Sequence, residues 1–369
     1  MTKKRVAIIV PGGVGNGFFN QGLPAVVNLI AGLAKTYDIT VFSMVPVNED
    51  YSPSGFRIIS APPSRRPLLR YFKLGYRIIK EHYSQTFDLI HGIWGSPSGF
   101  LAVWMAKWLD IPSVVSLRGG ETASIPEIGY GQLRKPSKRR RLFRTLYAAD
   151  KVTVLSDFQR DILLQHGFNK EVEVIPTGVD TDLFIPAGAN RTPPFNFLHV
   201  ANLTEVKDQV TLLKAFTLIR TAFDCKLNII GADYLDGKLH RLCNELGLDD
   251  CVTFLGPIKN TELPAYYQSS DVLLHTSLYE GQAVVVMEAA ASKVLIGGTN
   301  TGMISDMGDM VIAVEPGDFN RLAERVIDTL RDEEEWTSKV EQSYQWALAH
   351  DINYTIEAFR TLYGMLIKS

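Results

Sequence analysis

The chain alternates short apolar runs with longer stretches of helical spacing. Arg5 to Val10 is a β-branched run ending at Pro11, the form of a strand buried on both faces. A helical pattern follows at Leu23 to Lys35. Further strands are predicted at Ile39–Met44, Phe56–Ser60, Asp88–His91, Ile111–Leu117, Lys151–Leu155 and Val172–Ile175, with Leu68–His82 the clearest helix between them. Strands and helices alternating at this spacing predict an α/β fold with a doubly wound parallel sheet, whose ligands lie beyond the carboxyl ends of the strands. His91, Trp94, Arg118 and Glu121 fall at such ends. Each also has a plainer reading: a satisfied buried histidine, a packing indole, a mutual ion pair.

A Pro/Gly/Asn-rich stretch from Phe184 to Pro194 interrupts the rhythm and reads as a linker. The rhythm then restarts with strands at Phe195–Val200, Lys226–Ile230, Val252–Leu255 and Asp271–Leu274. Helices are expected near Val210–Phe223, Gly237–Leu246 and Glu262–Gln268. Helical patterns close the chain at Arg321–Leu330 and Ser338–Leu366. These patterns divide the chain into 1–187, 188–349 and a terminal helix, 350–369. Two sheets joined by one linker predict a cleft between domains, a favoured place for small ligands.

Two stretches invite a ligand. Gly12-Gly13-Val14-Gly15-Asn16-Gly17 follows the first strand, and glycines there allow close backbone approach to a phosphate or sugar. A Walker loop would need Lys and Ser or Thr at positions 18 and 19, where both residues are Phe; a plain strand-to-helix turn fits equally well. The second stretch, Leu278 to Ala291, carries Glu280 and Glu288. A helix starting near Gln282 would offer an anion site at its N-terminus, with Glu288 about 10 Å further along the axis. Three consecutive valines equally suit a buried strand with both glutamates at its ends.

Composition narrows the classes. With 46% hydrophobic and 21% charged residues, 369 residues are enough for two full cores, and a formal net charge of -2 argues against a general nucleic-acid binder. Cys225, Cys243 and Cys251 have neither an even count nor C-x-x-C spacing, which suits a reducing cytoplasm. No apolar run reaches the length of a membrane span. Two basic-aromatic segments, Arg134–Arg144 and Arg65–Lys80, read either as solvated faces or as surfaces resting peripherally on anionic lipid at the inner face of a membrane.

An ordered set of motifs resembles one family. Ile175-Pro176-Thr177-Gly178-Val179-Asp180 with Phe184 and Pro186, Lys207-Asp208, Phe254-Leu255-Gly256, and Glu280 separated from Glu288 by seven residues are together similar to retaining glycosyltransferase family 4, with the GT-B fold of two Rossmann-like domains facing each other across a cleft. The resemblance implies transfer of a sugar from a nucleotide diphosphate-sugar to a hydroxyl of a saccharide or lipid-linked saccharide, in cell-envelope or exopolysaccharide synthesis. It implies that the terminal helix crosses back to the first domain.

The same resemblance assigns roles. Glu280 holds donor-sugar hydroxyls and Glu288 the ribose, while Lys207 neutralises the diphosphate. Amides of Gln282, Ala283 and Val284 meet the distal phosphate, with Gly281, Asn202, Gly12, Gly13 and Gly17 also on the donor side. Arg118 and Glu121 join Lys207 and Glu280 as catalytic candidates; His91, Trp94 and Glu121 are acceptor candidates. No metal or other cofactor is implied. Asn202 stands where much of the family has an arginine on the diphosphate, and Gln282-Ala283 replaces Phe-Gly. These departures keep two alternatives open: a sugar-nucleotide isomerase or hydrolase of GT-B fold, and a catalytically idle sugar-nucleotide-binding protein.

Overall fold

The computed structural model describes residues 3–17, 19, 22–53, 55–61, 67–187 and 192–367. Arg65 and Arg66 of the second basic segment, and Gly188–Arg191 of the expected linker, lie outside them. The chain forms two compact units, one up to Thr177 and again from Ile352, the other Gly178–Asp351.

The first unit runs β1 (Arg5–Val10), α1 (Pro24–Ala34), β2 (Asp38–Ser43), β3 (Arg57–Ser60), α2 (Pro67–Ser84), β4 (Leu89–Ile93), α3 (Phe100–Leu109), β5 (Ser113–Ser116), α4 (Pro136–Ala148), β6 (Lys151–Val154), α5 (Asp157–Gln165) and β7 (Glu173–Val174). The sheet order is β3-β2-β1-β4-β5-β6-β7, with every pair parallel. Val6 to Val10 are fully buried, which explains the unbroken apolar run: helices cover both faces of a parallel sheet.

The second unit runs β8 (Phe195–Val200), α6 (Gln209–Ala222), β9 (Cys225–Ile230), α7 (Lys238–Glu245), β10 (Val252–Gly256), α8 (Leu263–Gln268), β11 (Val272–His275), α9 (Val284–Ala291), β12 (Leu295–Thr299), α10 (Met303–Met307), β13 (Ile312–Val314), α11 (Phe319–Arg331) and α12 (Glu333–Ala349). Its order, β10-β9-β8-β11-β12-β13, repeats the first six strands of the other sheet. The order reverses between β1 and β4 and again between β8 and β11, the positions where open α/β sheets receive ligands. The cysteines are buried and unpaired in this unit's core.

The chain returns to the first unit in α13 (Ile352–Leu366). Phe359, Leu362 and Tyr363 are buried there against β1 and α1, and Gly32 of α1 admits the helix: a Cβ at that position would sit 2.2 Å from Ile356.

Three expectations change. The division falls at Thr177/Gly178 rather than 187/188, because Val179 and Phe184 are buried in the second unit, where Phe184 packs edge-on against Tyr267 at 5.6 Å. Ser338–Leu366 is two helices, broken at His350–Asp351, where Asp351 bridges to Val179. Strands β12 and β13 were not anticipated: one contains Gly297-Gly298 and the other is three residues long.

Candidate active site

In the second unit, the loops leaving β8 and β11 are knitted together. Leu278 N–H donates to the Val206 carbonyl at 2.8 Å, and the Thr276 hydroxyl donates to the carbonyl of Asp208 at 3.0 Å. This fixes Lys207, at the end of a single 3-10 turn, beside Glu280. Three donors then converge on one carboxylate oxygen. Glu280 Oε1 accepts from Lys207 Nζ at 2.5 Å, Ser277 Oγ at 2.6 Å and His275 Nε2 at 2.9 Å. Burial alone would push the Glu280 carboxyl up, but the Lys207 charge and the His275 bond outweigh it and hold the group well below the ordinary carboxylate range.

The backbone behind Glu280 leaves no space. Gly302 has φ +54°, and a Cβ there would lie 2.8 Å from Glu280 Cβ and 2.9 Å from the Gln282 carbonyl oxygen. That carbonyl accepts from Met303 N–H at 2.8 Å. Gln282 is buried, Ala283 takes a positive φ of 71°, and α9 starts at Val284. The segment is therefore a helix, not a strand, and its first residue is two positions later than Gln282. Val286 N–H in its first turn donates to the Ala283 carbonyl at 3.0 Å, and the amides before it are those a helix start leaves without an intrahelical acceptor.

Glu288 lies in the second turn of α9 and is buried. Its Oε2 accepts from the Tyr267 hydroxyl at 2.8 Å. Burial raises this carboxyl to about 7 against the lowering effect of bonds from Tyr267 and Asn260. The two glutamates are thus driven in opposite directions by their surroundings.

Asn202 does not occupy an arginine's role. Its Oδ1 accepts from Ala232 N–H at 3.0 Å, tying the loop after β8 to the loop after β9.

The first-unit candidates separate into three kinds. His91 is fully buried, with Nδ1 2.6 Å from the Tyr363 hydroxyl and Nε2 2.7 Å from the Ser116 hydroxyl, which continues to Thr153 at 2.6 Å. Burial, assisted by the Arg118 charge, lowers its pKa to about 3. With both ring nitrogens engaged it is a neutral internal tie, and the acceptor-binding role expected of it is corrected. Glu121 is likewise buried, and its Oε1 accepts from Gly95 N–H at 3.1 Å and Arg118 N–H at 3.3 Å. Burial raises its pKa while surrounding amides oppose the rise. Through Oε1 it staples the loops after β4 and β5 to each other, in place of an ion pair with Arg118.

Arg118 donates through Nη1 to the Thr177 hydroxyl at 2.6 Å, while its buried Nη2 has no partner among the described residues. Burial lowers it to about 10, with Glu121 opposing. Trp94 is half-buried at the edge of the core with φ 72°. Gly12, Gly13 and Gly17 lie in the loop after β1, folded back so that Leu23 N–H donates to the Gly13 carbonyl at 2.8 Å.

Sequence reasoning passed over His275, Ser277, Tyr267 and Gly302. The first two had a signal: both end the apolar run that delivers Glu280. The other two become visible only through packing. Among the described residues, no group of three or more His, Cys, Asp or Glu side chains is placed to hold a metal, and no helix is long and apolar enough to cross a membrane.

Known proteins share this architecture. The chain is 26% identical over 274 residues to a D-inositol 3-phosphate glycosyltransferase of Arthrobacter sp. (strain FB24), covering 67% of this chain and 64% of that relative. It is 26% identical over 260 residues to an alpha-monoglucosyldiacylglycerol synthase of Streptococcus pneumoniae (strain ATCC BAA-255 / R6), covering 64% of this chain and 57% of the relative. The chain thus spans less than two thirds of either relative's length. Among solved structures, Anabaena HepE in complex with UDP and glucose superposes with a TM-score of 0.79 at 16% identity, over 98% of this chain and 100% of that one. Residues 25–183 match the family described as Glycosyltransferase Family 4, and residues 180–346 match glycosyl transferases group 1. Matched by these two descriptions over nearly its whole length, and folded into two parallel-sheet α/β units, the chain belongs to the family 4 glycosyltransferases of GT-B fold.

Proposed function

We propose that this protein transfers a hexosyl group, with retention at the anomeric carbon, from a nucleoside diphosphate-sugar to a hydroxyl of a saccharide or lipid-linked saccharide. The observation that carries the reading is the convergence of Lys207, Ser277 and His275 on one oxygen of Glu280. Held by Oε1, the carboxylate presents its other oxygen to hydroxyls of the donor sugar. Lys207, anchored beside it, meets the diphosphate with a charge-assisted contact that strengthens as the leaving group departs. The amides opening α9 share that charge, so the scheme calls for no metal ion. Glu288 receives the ribose hydroxyls.

In the reaction, the bond from the anomeric carbon to the phosphate oxygen breaks through an oxocarbenium-like state. The acceptor oxygen bonds to the same face, and its proton passes to the departing phosphate oxygen. No protein nucleophile enters the scheme. Arg118 Nη2, without a partner among the described residues, and the half-buried Trp94 are the first-unit groups offered for sugar contact. The names of the two relatives support an inositol phosphate or lipid-borne acceptor of this general class, and the UDP and glucose held by HepE support a uridine nucleotide and a hexose on the donor side.

The test is a mass-spectrometric screen of the full chain with UDP-, GDP-, ADP- and TDP-sugars, with and without saccharide and glycolipid acceptors. Acceptor-dependent donor consumption with an unchanged anomeric configuration by NMR is expected. Acceptor-independent consumption identifies a hydrolase or isomerase. Nucleotide binding without turnover identifies an idle protein.

A further inference from the structure

Helix α2 of the first unit is apolar on two sides. Leu74 and Ile78 point into the core, while Leu69, Phe72, Tyr76 and Tyr83 lie exposed on the opposite stripe. Spacings of three, four and four residues across Leu69, Phe72, Tyr76 and Lys80 keep that stripe on one face. Helix α3 adds Phe100, Trp104 and Trp108, also exposed, at spacing i, i+4, i+8. The two helices meet through their aromatics: Phe72 stands edge-on to Trp104 at 6.1 Å, and Trp104 edge-on to Trp108 at 6.4 Å. Solvent-facing aromatics in a row are costly for a surface without a partner.

Helix α4 closes the patch. Its Leu142, Thr145 and Leu146 are buried, which turns Arg140, Arg141 and Arg144 outward. Between α2, α3 and α4 lies a groove of about 840 Å³ with Phe72, Phe100 and Trp104 in its wall and Lys107, Arg140, Arg141 and Arg144 along it. Among the described residues lining the groove there is no carboxylate. An aromatic floor inside an all-cationic border is the chemistry of the interface between phosphate headgroups and acyl chains, where Trp and Tyr settle and arginines pair with phosphate.

We infer that the α2–α3–α4 face docks on an anionic phospholipid bilayer, with Phe72, Trp104 and Trp108 entering the headgroup layer and Arg140, Arg141 and Arg144 holding lipid phosphates. A second copy of the chain suits the face poorly, since a two-fold contact would set these arginines against their own counterparts. The surface belongs to the first unit and Lys207, Glu280 and Glu288 to the second, and the inference does not depend on which sugar is transferred.

The test uses the full chain in sedimentation with vesicles of phosphatidylcholine alone and of phosphatidylcholine mixed with phosphatidylglycerol, at low and physiological salt. Binding is expected on the mixed vesicles only, weakening with salt. Combined R140E/R141E/R144E should reduce it on the order of a hundredfold, at roughly fivefold per cation lost. W104S/W108S should leave weak, salt-labile binding. A control pair on the second unit, K226E/R241E, should bind as the parent does. Retained nucleoside diphosphate affinity in all variants shows that they are folded. Equal binding to neutral vesicles, or indifference to both sets of substitutions, overturns the inference. So does light scattering that finds a dimer which W104S/W108S dissolves, with no vesicle binding by the parent.

Discussion

The Lys207 ammonium lies 2.5 Å from Glu280 Oε1, so the cation assigned to the diphosphate and the carboxylate assigned to the sugar are one bonded pair. Removing either member leaves the other partly buried and unbalanced, and the consequences should differ. Lys207→Ala is expected to weaken nucleoside diphosphate binding and to lower kcat on the order of a hundredfold or more. Glu280→Ala should lower turnover more than it lowers nucleoside diphosphate affinity, because the ligand proposed for it is the sugar. Calorimetry with the nucleotide and steady-state rates with the donor separate the two; equal loss of nucleotide affinity in both variants contradicts the division of roles.

Glu288 supplies a pH signature. With its carboxyl raised to about 7 by burial, it gains its charge across neutrality, and ribose hydroxyls donate better to the charged form. Nucleoside diphosphate affinity should rise as pH climbs through about 7, and Glu288→Gln should lose that step. Isothermal titration of both proteins between pH 6 and 8, as a difference, removes the nucleotide's own titration. A step of equal size in the variant excludes Glu288 as its source.

Acid should destabilise the fold through its buried histidines. His91 and His199 are both lowered to about 3, chiefly by burial. For a group depressed in the folded state, the unfolded chain takes up protons first, so the stability is present above about 6.5 and drains away as pH falls toward 3. The slope approaches about 1.4 kcal/mol per pH unit for each histidine. Urea melts of the parent and His91→Gln at pH 7.5, 6 and 5 should show a smaller acid loss in the variant, whatever its stability at pH 7.5.

Gly302 is the least replaceable residue behind the site. Gly302→Ala should cost about 1–3 kcal/mol through its positive φ and the collision with Glu280. Turnover should fall further than the unfolded fraction explains, because the new methyl displaces the carboxylate. Denaturant melts alongside kcat measured well below the melting range make the comparison.

The sheets and most helix positions were legible because buried parallel strands are continuous apolar runs and their crossovers keep helical spacing. Motif order singled out Glu280, Glu288 and Lys207, and the structure brings Lys207 and Glu280 into contact. What the sequence hid is contact information. His91 at a strand end looked like a ligand until Tyr363, 272 residues later, took its Nδ1. Glu121 looked like an ion partner of Arg118 until the Gly95 and Arg118 amides took its Oε1. Asn202 read as a missing charge, whereas it ties two loops. Strand β12 was lost because consecutive glycines erase the β-branched signal, though its neighbours β11 and β13 shield it on both edges.

The double passage of the chain between its units sets an order of maturation. The second unit, Gly178–Asp351, is continuous and has all its strands once residue 351 is made. The first unit begins the chain but lacks Phe359, Leu362 and Tyr363 until α13 emerges, and without them β1 and α1 expose apolar surface and His91 loses a partner. During synthesis, the half that starts first is therefore the half whose core is completed last.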